Sequence, residues 1–238
     1  MFSRIALAVM ALTSPALTQA HEILVLPGQA EAQTIPVTVL MTEDFIKPDR
    51  VPLLDAFTLE RIEGESRAIV PVTAADKALQ TSIASGPAVL LASLIRDRME
   101  APKAKDGEAA PPARMTRVAD YAKSYVGQTA DTRNWERPAG SRLEVMPLSN
   151  PAMLKVGDTL RVRVLFDGAP IETMVQATFD GNGRGWPVRL QSNTSGEASI
   201  PMTRAGHWII RAKHQREETA DTHVFYDGAA NIVVNVME

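Results

Sequence analysis

The chain has 238 residues and no cysteine, and its formal net charge is −3 at pH 7. This length allows one large domain or two small ones, each able to bury a core. The mild acidity argues against a nucleic-acid-binding protein, whose binding face is typically basic. Without cysteine the fold has no disulfides, and any metal must be bound by nitrogen and oxygen ligands.

Residues 1–20 have the pattern of a secretory signal peptide. Arg4 provides a positive charge, residues 5–12 form a short apolar segment, and Ala20 is the small residue that a signal peptidase prefers before its cut. No apolar run reaches the about 18 residues that span a bilayer. We therefore expect a periplasmic protein that does not itself span the membrane.

Cleavage after Ala20 would make His21 the first residue of the mature chain. A terminal histidine brings two nitrogen ligands together, the imidazole and the free α-amine, and this pair can chelate a transition metal. Two alternatives remain open. His21 could be an ordinary solvated terminus, or cleavage after Ala16 could leave it inside the chain without the amine.

Residues 21–100 are predicted to form an N-terminal β-sandwich. Apolar and other residues alternate over 35–41, which is the period of a strand, and Pro36 predicts that this strand lies at a sheet edge. The apolar run 88–95 predicts a strand covered on both faces, with a short helix as the alternative.

Residues 101–140 are predicted to contain a flexible insert, a short helix and a connector. Residues 101–114 lack large apolar side chains, which predicts a mobile surface segment. Val118, Tyr121 and Tyr125 then recur at helical spacing. We expect a helix whose tyrosines pack while Lys123 faces solvent.

Residues 141–238 show a clearer strand pattern. Apolar residues alternate over 160–166, and Asp167-Gly168 is a residue pair that favours a tight hairpin turn. About seven short strands with turns between them are typical of an immunoglobulin-like sandwich. The predicted fold is thus mainly β, with two β-sandwich domains and one short connecting helix.

No motif in the chain indicates an enzyme. His21-Glu22 begins like a zinc-protease motif, but Val25 occupies the place of the second histidine. The glycine-rich stretch from Asp180 resembles the start of a calcium loop, but its twelfth residue is Gln191 rather than glutamate. We therefore predict a binding protein with no catalytic residues.

The alternation of side chains along a strand distinguishes His207 from His214. His207 and His214 are an odd number of residues apart, so on one strand they face opposite sides. His214 shares its face with apolar residues such as Trp208 and should end a core-facing row, whereas His207 should be solvated. His223 follows a charged loop at 215–221, which is either a solvated hairpin or a flexible source of oxygen ligands.

Several stretches resemble the bacterial domain-of-unknown-function family 4198. Its C-terminal half is similar to residues 147–151 (Pro-Leu-Ser-Asn-Pro), 154–161 (Leu-Lys-Val-Gly-Asp-Thr-Leu-Arg), 164–168 (Val-Leu-Phe-Asp-Gly) and 206–214. Residues 121–127 resemble its middle segment, and His21 after the signal resembles its usual mature start. Two features depart from the family: Ile23 and Leu24 stand where aromatic residues are expected, and the insert at 101–114 is long and polar.

The resemblance implies a periplasmic β-sandwich protein, and some members are associated with nickel or cobalt uptake beside membrane transporters. Our first hypothesis is therefore a protein that binds nickel or cobalt and delivers it to a membrane metal transporter. Its metal-ligating residues would be His21, His214 and His223. The second hypothesis is a copper carrier or oxidase with a histidine brace, because copper binds nitrogen sites more tightly than nickel does. The third is a metal-free module that binds other molecules by surface contacts.

Overall fold

In the computed structural model the regular secondary structure of the described residues consists mainly of strands. The structure describes residues 22–100, 109, 112–183, 185–218 and 224–238. These residues contain no α-helix, and their helical turns are the short 3-10 segments Leu54–Ala56, Asn134–Glu136 and Pro151–Met153. The prediction of a mainly β protein is confirmed. None of the helical segments in this part of the chain has the length and apolar character to cross a membrane.

Sixteen strands are present in the described residues. In chain order they are β1 (Glu22–Pro27), β2 (Thr34–Thr42), β3 (Phe57–Glu63), β4 (Ser66–Ile69), β5 (Thr73–Ala75), β6 (Ala78–Ala84), β7 (Ala88–Glu100), β8 (Arg114–Val126), β9 (Leu143–Pro147), β10 (Thr159–Phe166), β11 (Ala169–Pro170), β12 (Met174–Phe179), β13 (Val188–Gln191), β14 (Glu197–Pro201), β15 (Gly206–Glu218) and β16 (Val224–Val236).

A central eight-stranded sheet contains strands from both halves of the chain. Its order is β13-β12-β15-β16-β8-β7-β3-β4. β8 and β16 pair in parallel, and the other neighbours in this sheet are antiparallel. Both predicted sandwiches, residues 21–100 and 141–238, therefore contribute strands to the same sheet.

Two smaller sheets cover opposite faces of the central sheet. The first small sheet has the order β1-β2-β6-β5, and the second combines β9, β10, β11 and β14. Strand alternation divides β8 between them: Ala122 and Val126 join the core under the first small sheet, while Ala119 and Tyr121 join the core under the second. Each fully buried aliphatic side chain in these cores contributes about 1.5–3 kcal/mol of transfer free energy.

The predicted connecting helix was wrong, because residues 118–126 lie in β8. This strand is buried on both faces, so its apolar residues do not alternate, and some of them fall at helical spacing by coincidence. Lys123 is buried rather than solvated. The predicted mobile segment at 101–114 lies mostly outside the described residues, and its last residue, Arg114, begins β8.

The strand predictions for 35–41 and 88–95 are confirmed by β2 and β7. The edge position of Pro36 was wrong, because β2 lies between β1 and β6. The pairing of β1 with β2 ends opposite Val37. Pro36 lacks a backbone N–H, but it lies beyond this pairing, so no hydrogen bond between β1 and β2 is lost. The Asp167-Gly168 turn is also confirmed, with φ angles of 50° and 77°.

Candidate functional site

The beginning of β1 is fixed against the central sheet. β1 is the edge strand of the first small sheet, and side chains of the central sheet satisfy two of its carbonyl groups. Asn231 Nδ2 donates to the carbonyl of Ile23 at 3.4 Å, and Ser124 Oγ donates to that of Val25 at 2.5 Å. The described chain therefore starts at a defined position over β8 and β16.

Glu22, the first described residue, has a side chain buried beside two cations of β15. It is 5% exposed. Its Oε1 accepts a hydrogen bond from Arg211 Nη1 and lies 3.6 Å from Lys213 Nζ. Its Oε2 is also buried and has no hydrogen-bond partner among the residues that the structure describes. Since a buried carboxylate oxygen without a partner is unfavourable, this atom can accept a further donor or a metal ion.

Arg211 is held rigidly in this place. Gln176 Oε1 accepts hydrogen bonds from Arg211 Nη2 at 2.6 Å and from Nε at 3.2 Å. The guanidinium carbon also lies 3.8 Å from the centre of the Trp186 ring, a cation–π contact. Burial lowers the pKa of Arg211 to about 10, so it remains charged at neutral pH.

Two further carboxylates, Asp120 and Asp227, interact with Lys213 on this face. Asp120 of β8 and Lys213 of β15 are both register partners of Ala229, which stands between them on β16. Asp120 Oδ2 lies 3.6 Å from Arg96 Nη2, and Asp227 Oδ1 accepts a hydrogen bond from a neighbouring glutamine of β15 at 3.0 Å. Asp120 therefore lies near a cation of β7, and Lys213 of β15 interacts with both Asp120 and Asp227.

We call this group the N-terminal cluster. It consists of Glu22, Arg96, Asp120, Arg211, Lys213 and Asp227. Burial raises the pKa of Asp120 to about 6, with Arg96 opposing the rise and Asp227 adding to it. Burial and then Arg211 lower the pKa of Lys213 to about 8. Arg98 of β7 also opposes the rise in the pKa of Asp120, so cations from both β7 and β15 act on this cluster.

The histidines predicted as ligands are not brought together within the described residues. His21 and His223 lie outside them. His214 lies on the face of the central sheet opposite Arg211 and Lys213, where its ring is 4.5 Å from that of Phe166. The described residues contain no group of three or more His, Cys, Asp or Glu side chains that could hold a metal ion. The shared site of His21, His214 and His223 therefore stays a prediction.

The prediction that His207 and His214 face opposite sides of one strand is confirmed. His214 ends a row that includes the buried Trp208 and Ile210, and burial, with Arg216 next, lowers its pKa. His207 is exposed, as predicted, and its Nδ1 lies 3.5 Å from Asp180 Oδ2.

The sequence reasoning missed most of the N-terminal cluster. Arg211 and Lys213 share the strand face of His207, which was predicted to be solvated, and Asp120 falls within the predicted helix. The one available signal was a row of charged residues alternating with apolar ones along β15. That pattern does not reveal the partner Glu22, which is 189 residues away from Arg211 in the chain.

A second buried ion pair lies on the opposite face of β8. Lys123 Nζ is 2.5 Å from Glu144 Oε1, and the two side chains are 3% and 1% exposed. Glu144 also accepts hydrogen bonds from the backbone N–H groups of Ala139 and Gly140, at 2.7 and 3.0 Å. Burial lowers the pKa of Lys123, with Glu144 opposing this change. Because both groups are closed to solvent, we assign this pair to the joining of β8 and β9.

A cavity of about 380 Å³ opens at the other end of β1, away from Glu22. Its walls include Leu26, Ile35, Val126, His207 and Asn235. No lysine, arginine or acidic side chain lines it.

The raised pKa of Asp120 predicts that the stability of the protein depends on pH. A folded pKa of about 6, against an ordinary value of 3.8, means that the folded state binds this proton more tightly than the unfolded state does. The stabilisation of the folded state by protonated Asp120 is fully present below about pH 4 and is lost as the pH rises through 6. The total change in unfolding free energy is about 3 kcal/mol. We expect Asp120→Asn to reduce this fall, measured as urea unfolding free energies from pH 4 to 7. Equal pH profiles for the two proteins would contradict this expectation.

Three solved structures that resemble the chain are similar to it only distantly. The chain is 13% identical to the D0-D1 domain of intimin, with a TM-score of 0.24 and coverage of 91% of this chain and 98% of that one. It is 12% identical to Escherichia coli alpha-2-macroglobulin spanning domains NIE-MG1, with a TM-score of 0.23 and coverage of 85% and 95%. For the ectodomain of mouse nectin-like molecule 4 the identity is 8%, the TM-score 0.23 and the coverage 91% and 64%. These TM-scores are too low to define a common architecture.

Comparison with curated proteins finds no match. A family model described as a domain of unknown function, DUF4198, matches residues 18–216. The matched region includes every stretch that suggested this family from the sequence, and it includes the N-terminal cluster apart from Asp227. The chain therefore belongs to the DUF4198 family.

Proposed function

We propose that the protein binds a divalent transition metal at the N-terminus of its mature chain in the bacterial periplasm and delivers it to a membrane transporter. The metal would be nickel or cobalt, with copper as the alternative. The observation that supports this proposal best is the buried Oε2 atom of Glu22, the residue next to His21, which has no hydrogen-bond partner within the described part of the chain. The proposed ligands are the amine and imidazole of His21 and the carboxylate of Glu22.

Anchoring of β1 would strengthen such a site. A flexible terminus loses conformational freedom when it binds a metal, and this loss weakens binding. Here the backbone of Ile23 is already fixed by Asn231, and Glu22 is fixed by Arg211. A metal bound by His21 would therefore need to order little more than the terminal residue itself.

A carboxylate ligand fits the geometry better than His214 does. A site shared with His214 would require the terminus to reach across the central sheet, since Glu22 packs on the face that carries Arg211 and Lys213. A mixed set of nitrogen and oxygen ligands suits nickel, cobalt or zinc as well as copper, so the ligands alone do not select the metal.

Histidine substitutions test the proposed ligands. The protein should begin at His21, and nickel should be titrated by calorimetry into the parent protein and the His21→Ala, His214→Ala and His223→Ala variants. We expect His21→Ala to weaken binding by at least about 100-fold, because even partners outside the ligand shell contribute about 10–100-fold. His214→Ala should change the affinity by less than about threefold. Binding should also weaken from about pH 8 to pH 5, because protons compete for the ligating nitrogens.

His207→Ala is the matched control, since His207 is exposed and lies on the other end of β15 from the cluster. A greater loss from His214→Ala than from His21→Ala would contradict the carboxylate site and support the histidine brace. A parent protein that binds no nickel, cobalt or copper would contradict the metal proposal and favour an interaction module.

A further inference from the structure

We infer that the cavity at the far end of β1 binds a small neutral molecule that has an apolar body and a hydroxyl group. This site is independent of the proposed metal site, because the cavity begins at Leu26 and the metal would bind beside Glu22, at the other end of the strand. The cavity measures about 380 Å³. Ligand pockets typically measure about 300–1,000 Å³, so the space suits a small organic molecule.

The walls of the cavity are apolar and come from both of the sheets that enclose it. Leu26 of β1 and Ile35 of β2 belong to the first small sheet. Val126 of β8 and Val233 of β16 belong to the central sheet. An apolar ligand surface that leaves water for these walls would gain free energy. None of the described residues that line the cavity is a lysine, an arginine or an acid, so a charged ligand would lose its hydration without gaining an ionic partner.

Small residues form the rim of the cavity and leave it open. They are Gly28, Ala30, Ser85, Gly86 and Gly127. A Cβ atom on Gly127 would lie 2.4 Å from the carbonyl carbon of Gly86, so the end of β8 approaches the turn between β6 and β7 this closely only because Gly127 has no side chain. Part of the rim is therefore backbone in fixed contact, and the cavity is formed before a ligand arrives.

His207 and Asn235 add two polar side chains at one place in the wall. They are register partners on β15 and β16, so their side chains lie next to each other on one face of the central sheet, with Cβ atoms about 4.5–5.5 Å apart. The same face carries Ile209 and Val233, which belong to the core between the central sheet and the first small sheet. Both polar side chains line the cavity.

Asp180 orients the ring of His207. Its Oδ2 accepts a hydrogen bond from the backbone N–H of His207 at 3.0 Å and lies 3.5 Å from Nδ1. A carboxylate beside Nδ1 favours the neutral tautomer with its proton on that atom, which leaves Nε2 as an acceptor. The neighbouring amide of Asn235 offers N–H donors. A ligand hydroxyl can donate to Nε2 and accept from the amide, and this pairing is the reason for assigning a hydroxyl to the ligand.

Naphthol and octanol are suitable probes, because each combines an apolar body with one hydroxyl group. Each should be titrated, without added metal, into the protein beginning at His21, with the backbone amides followed by two-dimensional NMR. We expect saturable binding, with the largest shifts at the amides of Gly28, Gly86 and Gly127. Naphthoate, which replaces the hydroxyl with a carboxylate, should bind at least about tenfold more weakly, because the cavity offers it no cation.

Substitutions separate the polar contacts from the space. His207→Ala and Asn235→Leu should each weaken naphthol binding about 3–10-fold, because each removes one hydrogen bond. Ala30→Trp and Ser85→Trp place a large ring at the rim and should each weaken binding at least about tenfold. Ala30 and Ser85 are exposed, so these variants should fold as the parent does.

Two matched controls should bind naphthol as tightly as the parent. Ala30→Ser changes the rim without filling the cavity. His214→Ala removes an imidazole on the opposite face of the central sheet.

Three results would overturn the inference. The first is an absence of saturable binding for both naphthol and octanol. The second is binding that both bulky rim variants leave unchanged, or whose shifts lie away from the three glycines, since the probes would then bind elsewhere. The third is equal or tighter binding of naphthoate, or equal binding by His207→Ala and Asn235→Leu, which would exclude a site for a neutral hydroxyl compound.

Discussion

Replacing Glu144 with glutamine should lower the free energy of unfolding by about 3–5 kcal/mol, which is the usual cost of breaking a buried ion pair by removing one partner. The substitution leaves the ammonium of Lys123 buried beside a neutral amide. It also weakens two hydrogen bonds, since Glu144 accepts from the backbone of Ala139 and Gly140. Urea denaturation monitored by fluorescence and circular dichroism would measure the loss.

Replacing the other partner of the ion pair, Lys123, should lower the free energy of unfolding by less. Lys123→Met leaves Glu144 charged, but the carboxylate keeps its two backbone donors. Replacing both residues with apolar ones should recover part of the stability, because no buried charge remains. Glu31→Gln, at an exposed position, is the control. A loss below about 1 kcal/mol for Glu144→Gln would show that this pair contributes little to the joining of β8 and β9.

An extra methionine before His21 should weaken nickel binding by at least about 100-fold, because it removes one ligand from the proposed chelate. Loss of a group outside the ligand shell already lowers metal affinity by about 10–100-fold, and loss of a ligand should cost at least as much. The α-amine moves to the added residue, while the imidazole of His21 and the carboxylate of Glu22 remain. Calorimetric titration of the two proteins under the same conditions measures the difference.

The matched control carries the same extra methionine after Glu238, at the other end of the chain. It should bind nickel as tightly as the parent protein. Equal affinities for the two N-terminal forms would show that the amine is not a ligand. Unfolding of the extended protein should follow that of the parent, because Glu22 keeps its contacts with Arg211 and Lys213.

Local patterns in the sequence predicted the strands whose two faces differ. The alternation over 160–166 and the Asp167-Gly168 pair correspond to β10 and the turn that follows it. The same reasoning failed for β8, because a strand covered on both faces has no period of two. The prediction from Pro36 was wrong because a proline at the end of a paired segment does not require its strand to lie at a sheet edge.

The candidate site was less accessible to sequence reasoning than the fold. Its contacts join residues that are far apart in the chain, such as Glu22 with Arg211 and Lys123 with Glu144. Lys123 was expected to face solvent from a helix, and this prediction was wrong because the residue lies in β8 and its partner Glu144 is 21 residues further along the chain. The signal-peptide pattern indicates His21. The neighbours of Glu22 depend on the packing of β1 on the central sheet, which no local pattern predicts.

The most direct test of the metal proposal is a nickel titration of protein processed and purified from the periplasm, with its N-terminal residue identified by mass spectrometry. We predict a chain that begins at His21 and binds one nickel ion at neutral pH. A chain that begins at Leu17, or a chain that begins at His21 and binds no nickel, cobalt or copper, would contradict the proposal.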